Sequence, residues 1–341
     1  MTNRDPDTGL AHLIKACLLG GAIGDALGAD IEFASLAQIL RRFPKGFENL
    51  PRHDGIKGAI TDDTQMTLFT AEGLIRASVR YEERGICDPA SVVHHALLRW
   101  LSSQGSVPKM EVDGTGLICD RRLHARRAPG NTCLSSLQFA KAFGDLARND
   151  SKGCGTIMRV APMGFVAPDS IRDLAMETSA LTHGHPTGQE AAAAWALILA
   201  ALITGTEIEK AATGLINTFD SETDQAIRLA IKAPRDGAPE TVESLGGGWI
   251  AEEALSIALY ACLCARNFEH GLTIAVTHSG DSDSTGAIAG NALGLIFPDQ
   301  VCGHRWARQV ECADLIEKIS RDLALAVSGP AEKLGDVYPG C

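Results

Sequence analysis

His12-Leu-Ile-Lys-Ala-Cys-Leu-Leu-Gly20-Gly-Ala-Ile-Gly24-Asp25-Ala-Leu-Gly28 has the composition of a tightly packed central helix. It is small and apolar, and Gly20, Gly24 and Gly28 recur at every fourth position, which lines them along one face of a helix. A glycine face lets a second helix approach closely. The matching face lies near the other end of the chain, where Gly286, Gly290 and Gly294 repeat the interval. The two runs predict a pair of central helices packed at short distance.

Working outward, residues 64–80 read as a helix with Met66, Leu68, Phe69, Leu74 and Ile75 as its apolar positions and Thr61 or Asp62 as its cap. Further helices are expected at 90–102, 134–147, 251–265 and about 308–327. Another is expected at 170–181, opening with Ser170 and Asp173 at capping-box spacing. Thr187-Gly-Gln-Glu190 is a second capping box, before an Ala-rich run ending near Gly205. Alternating strand-type segments are scarce and no βαβ rhythm is visible. The expectation is an all-α chain in one compact domain, 1–341, with its core at about 10–328.

Bulk properties narrow the classes. Apolar residues make up 45% but aromatics only 5%, so the core must be built from Ala, Leu, Ile, Val and Gly. A net charge of −11 argues against a nucleic-acid duplex or an anionic membrane as partner. The N-terminus, Met-Thr-Asn-Arg-Asp-Pro-Asp-Thr-Gly-Leu, has neither a basic nor an apolar leader region. The most apolar run, 191–203, is shorter than the roughly 20 residues that span a bilayer, and reads as a buried helix. Ten cysteines without a C-x-x-C pair suggest reduced thiols and a cytoplasmic setting.

Two acid-rich segments, Thr61-Asp62-Asp63-Thr64 and Asp281-Ser282-Asp283-Ser284, each precede a helical run. Asp, Ser and Thr are good helix caps, and carboxylates in a first turn suit the helix dipole. The same groups are hard oxygen donors of the kind that Mg²⁺ or Mn²⁺ prefers. Two unit charges about 4 Å apart repel by about 4 kcal/mol at an effective dielectric near 20, so a fold joining the clusters needs a cation between them. Asp281, Asp283, Thr285 and Gly286 imitate an EF-hand, but its twelfth position is Ala292, where a bidentate Glu is required. They also imitate the D-x-D-x-T opening of dehalogenase-like phosphatases, but fewer than 60 residues remain after Asp283 to build the sheet that fold needs.

Three other segments invite a chemical reading. Lys152-Gly153-Cys154-Gly155-Thr156 can form an anion nest of backbone N–H groups or an ordinary turn before a helix. His183 and His185, in Thr-His-Gly-His-Pro, suit a pocket rim or a structural turn better than a metal site. Arg121, Arg122, Arg126 and Arg127 make a basic loop that is either a solvated surface or a phosphate or acidic-partner contact.

Taken together, Gly-Ala-Ile-Gly-Asp25-Ala-Leu-Gly with Glu32 beyond it, Thr61-Asp62-Asp63-Thr64, Lys152-Gly-Cys-Gly-Thr-Ile-Met-Arg159-Val-Ala-Pro, Thr182-His183-Gly-His-Pro and Ser279-Gly-Asp281-Ser-Asp283-Ser284 resemble the ADP-ribosylglycohydrolases over nearly the whole chain. The resemblance implies an all-helical domain with two divalent cations, Mg²⁺ or Mn²⁺, at its centre. Its implied metal ligands are Thr61, Asp62, Asp63, Asp281, Asp283 and Ser284, with Glu32 facing them as ligand, gate or acid/base. Asp62 and Asp283 would then also serve the chemistry, and Asp113 would stand beside the scissile ribose. Lys152, Gly153, Cys154, Gly155 and Thr156 would cradle a diphosphate, and His183 would lie near the adenosine end. Cys154 stands where many members have Asn, and Ser284 where Thr is common.

The implied activity is removal of ADP-ribose from a modified protein side chain, arginine first and serine as the alternative, with ADP-ribose as product. A reading from another class is a protein that occludes an ADP-ribosyltransferase, using the Arg121 to Arg127 loop.

Overall fold

The computed structural model describes residues 6–340; residues 1–5, which open the leader reading, and Cys341 lie outside the described residues. The chain is mostly helical, its one sheet among the described residues being a hairpin of Arg52–His53 and Ile56–Lys57. Its centre is the antiparallel pair of Pro6–Gly28 and Ser282–Ile296. A Cβ at Gly24 would run into the Gly286 carbonyl, and one at Gly290 into that of Gly20, so the two backbones touch directly. Asn291, buried in the seam, donates its amide to the Cys17 carbonyl at 3.0 Å.

Around this pair pack Asp62–Arg84, Pro186–Ile203, Ala251–Cys264 and Ala313–Ser328, and Pro89–Ser103 packs outside them on Asp62–Arg84. One continuous core of buried side chains runs from Ile14 to Tyr338, rich in alanine and aliphatic residues, as the composition requires. Gly9–Gly28 and Pro186–Ile203 are long and apolar enough to cross a membrane, and most of each is buried inside the fold, as in core helices. All nine described cysteines are free.

Several helix boundaries differ from expectation, each for a local reason. The helix expected at 134–147 is Asn131–Phe139. Beyond it the Asp145 carboxylate accepts the amides of Lys141 and Ala142 at 2.7 and 3.2 Å, and Gly144 turns left-handed at φ 84°, so apolar Phe143 and Leu146 sit in turns. Ser170 caps nothing with its side chain, because Pro168–Ser170 is already a 3₁₀ turn. At Pro186–Ile203, proline in the first turn leaves the extended His185 as cap, its Nδ1 accepting from the Thr187 amide at 3.2 Å. Thr187 and Glu190 do not form the expected box: Thr187 donates to Asp220 and Glu222, and Glu190 accepts from the Asp220 amide. The last long helix starts at Ala313, after a left-handed Cys312 at φ 60°.

Candidate metal centre

The two acid segments are helix N-termini, and the fold brings them to one cavity. Thr61 is the cap of Asp62–Arg84, its hydroxyl accepting from the Asp63 amide at 3.3 Å. Asp281 is the cap of Ser282–Ile296, and the Ser284 amide also donates to Asp283 at 3.0 Å. The positive ends of both helix dipoles therefore point at the same place. Glu32, on the turn that ends the first glycine helix, completes a trio in which one oxygen each of Glu32, Asp281 and Asp283 lies within 4.8 Å of the others.

The cavity is about 320 Å³ and is lined by Glu32, Asp62, Asp63, Asp281, Asp283 and Ser284 together with Gly153, Cys154, Gly155 and His183. That volume is in the range of small-molecule sites. Asp62 accepts from the Gly130 amide at 3.3 Å. Asp63 is buried, and its Oδ1 has no hydrogen-bond partner.

The electrostatics of so many buried acids are unfavourable without a counter-ion. Burial, then the Asp283 and Asp62 charges, pushes Glu32 up to about 9. Asp62, Asp63 and Asp281 are pushed well above the carboxylate range by burial first and Asp283 second. Asp283 is itself raised by burial. An orphaned carboxylate oxygen, a set of hard donors and mutual repulsion together fit a divalent cation.

Asp25 is a site residue to which the sequence reading gave no role. It is fully buried, and its carboxylate accepts the amides of Thr61 and Thr64 and the Thr64 hydroxyl. Burial, then Asp283, pushes it up to about 7. Its signal was present, since it falls among the glycines of the first helix, the one acid in an otherwise apolar run. Trp249 and Phe33 also went unread. Their rings stack at 5.6 Å and 20° on the cavity wall, 44% and 78% exposed, so aromatic faces are open to a ligand. Glu32 and Phe33 also line a neighbouring cavity of about 630 Å³ and so stand between the two.

Other sequence candidates stand differently. Lys152 is not among the cavity-lining residues, and its ammonium is tied to Glu222 at 2.8 Å and to Glu252. Thr156 is buried and donates to the Gly188 carbonyl at 2.6 Å. The Gly153 amide donates to Ser151 and that of Cys154 to the Trp249 carbonyl, so two donors of the supposed nest are already engaged. The Cys154 thiol instead reaches Asp281. Burial, then Asp281 and Asp63, raises that thiol well above its ordinary range. His183 is buried against Gly155 and Thr182, and burial and the Arg159 charge lower it to about 3, so its imidazole is neutral. Asp113 lies outside the cavity wall, bound to Arg99 at 2.9 Å, to Arg76 at 3.5 Å and to Thr115. Burial raises it, but the Thr115 hydrogen bond and the two guanidinium groups hold it well below the carboxylate range. In the basic loop Arg121, Arg122 and Arg126 are exposed and Arg127 is buried; Arg122 pairs with Asp120 and Asp314, and Arg127 with Glu311.

The sequence model of the ADP-ribosylglycohydrolase family matches residues 6–333. The chain belongs to that family. A relative from Rhodospirillum rubrum, ADP-ribosyl-[dinitrogen reductase] glycohydrolase, is 26% identical over 82% of this chain and 83% of its own. ADP-ribosylarginine hydrolase Tri1 of Pseudomonas putida is 23% identical over 91% of this chain and 77% of its own. A solved structure described as an ADP-ribosylglycohydrolase-related protein complex superposes with a TM-score of 0.71 at 23% identity, over 94% of this chain and 99% of that one, and so shares the fold. As an ADP-ribosylglycohydrolase the protein is a hydrolase of glycosidic bonds, and its acidic cluster can hold a metal ion.

Proposed function

We propose that this glycohydrolase removes ADP-ribose from modified arginine side chains of cytoplasmic proteins, using two divalent cations, Mg²⁺ or Mn²⁺. The observation that carries the reading is the meeting of Asp62, Asp63, Asp281 and Asp283 at two helix N-termini on one cavity, with an Asp63 oxygen left unpartnered. The arginine linkage is favoured by the two relatives, one named for ADP-ribosylarginine and one for a modified dinitrogen reductase.

Thr61, Asp62, Asp63, Asp281, Asp283 and Ser284 would hold the cations, which when bound supply charge that grips ribose hydroxyls and polarises water. The side chains have separate duties. Asp25 fixes the cap at Thr61 and so aims Asp62 and Asp63. Glu32 sits at the mouth, half-buried, and no frame hydrogen bond pins its carboxylate among the contacts described; we assign it the proton of the attacking water. Gly153, Cys154 and Gly155 form the wall beneath the diphosphate. Neutral His183 backs that wall, and the Phe33–Trp249 stack offers a flat face to a ring of the ligand. The larger neighbouring cavity, reached past Glu32 and Phe33, would admit the target's side chain.

The test is a comparison of arginine-linked and serine-linked ADP-ribosyl peptides under single-turnover conditions with Mg²⁺. Faster release from the arginine peptide is expected. Release from the serine peptide alone would overturn the linkage while leaving the hydrolase.

A further inference from the structure

Among the side chains that line the cavity, Cys154 brings a sulfur into contact with the acid cluster. Cys154 Sγ lies 2.9 Å from Asp281 Oδ2 and 3.6 Å from Ser284 Oγ, in the cavity that Asp63, with its orphaned Oδ1, also lines. Its position is fixed by the backbone: the Cys154 amide donates to Trp249 and its carbonyl accepts from Met158, both at 3.1 Å. A thiolate sits about 2.3 Å from a bound divalent ion and an oxygen about 2.0–2.2 Å; at angles between about 90° and 110° such donors lie about 3.1–3.6 Å apart. The Ser284 separation falls at the top of that interval, and the Asp281 separation is about 0.2 Å below it, so ligation needs only a small outward shift of one carboxylate oxygen. Without an ion the thiol donates to Asp281, a weak hydrogen bond that ligation would replace.

We propose that Cys154 ligates the cation held by Asp281 and Ser284, so that this position takes a borderline-soft ion, Fe²⁺, Co²⁺ or Zn²⁺, in preference to Mg²⁺. Thiolate ligation selects such ions, whereas a purely carboxylate and hydroxyl site suits Mg²⁺ or Mn²⁺. The position beside Asp62 and Asp63 keeps the harder ligands. No oxidation is involved: the ion takes the place of the thiol proton, which leaves to the buffer as the metal–sulfur bond forms. The inference rests on the metal reading proposed above and refines one of its two positions.

The experiment is titration of the full chain with Co²⁺ under reducing conditions, followed by absorption. The expected result is visible d–d bands together with a near-ultraviolet sulfur-to-cobalt charge-transfer band. In Cys154→Ser the d–d bands persist and the charge-transfer band disappears, and competition shows the preference for Co²⁺ over Mg²⁺ falling by about tenfold or more. Because the variant can fail to fold, ¹¹³Cd resonance of the wild-type protein gives an independent readout, with a shift in the sulfur-ligated range expected. Wild-type d–d bands without charge transfer, or a charge-transfer band that survives in the variant, would overturn the thiolate assignment while leaving a cation site. No Co²⁺ binding at all would overturn both.

Discussion

The Asp25 carboxylate accepts the backbone amide of Thr61 at 3.0 Å and that of Thr64 at 3.2 Å, so an acid inside the first glycine helix sets the N-terminus of the helix that carries Asp62 and Asp63. Removing it orphans two buried amides, at a cost of about 1–3 kcal/mol each. Asp25→Ala is therefore expected to lower urea-unfolding stability. Asp25→Asn, which keeps an acceptor and removes a charge near Asp283, should lose less in chelator and gain less on adding cation. Equal losses in the two variants would show that the acceptor is not what matters.

The glycine seam makes a sharper stability prediction. Gly24→Ala and Gly290→Ala each push a methyl into a backbone carbonyl of the facing helix, and a loss of about 1–3 kcal/mol or more is expected from overpacking. Gly9, in the same helix, has nothing within 4 Å of its missing Cβ, and Gly9→Ala should gain about 0.5–1 kcal/mol from helix propensity. Thermal unfolding of the three variants checks the contrast.

The raised acids make metal-free stability depend on pH. Asp25 at about 7 and Glu32 at about 9 lie above their unfolded values, so the folded state binds more protons between those limits. Stability in chelator should fall as pH rises from about 4 through about 7, and further towards about 9. A bound cation offsets this repulsion, so the cation-induced rise in melting temperature should be larger at about pH 9 than at about pH 5. A rise independent of pH would mean that the cation does not sit among these carboxylates.

Trp249 tests the aromatic wall separately from the metal. An exposed aromatic face is worth about 0.5–1.5 kcal/mol in stacking, so Trp249→Ala should weaken ADP-ribose binding up to about tenfold with Co²⁺ or Mg²⁺ affinity unchanged. Isothermal titration with each ligand separates the two effects.

The fold was legible because the four-residue glycine spacing has one physical use, close helix approach, and both partners carry it. The acid clusters were legible as caps and as ligands at once, and the structure gives Thr61 and Asp281 the cap role at the cavity itself. What sequence could not supply were partners distant in the chain. Lys152 looked available for phosphate until the fold placed Glu222 and Glu252 beside it. Asp113 looked like a site acid, but Arg76 and Arg99 come from two helices that converge on it. Phe33 and Trp249 are 216 positions apart, and no local pattern shows that they stack. Helix ends failed where a turn carboxylate or a proline outweighed apolar periodicity, at Asp145 and Pro186.

On the function proposed above, cations held by the two acid clusters carry out ADP-ribose removal. The most direct test is release of free ADP-ribose from an arginine-ADP-ribosylated protein, measured with Mg²⁺ or Mn²⁺, with chelator, and in an Asp62→Asn, Asp283→Asn variant whose fold is verified by circular dichroism. Release that needs the cation and falls by about 100-fold or more in the variant is predicted. Release that continues in chelator, or that the variant retains, would show that these cations do not carry out the reaction.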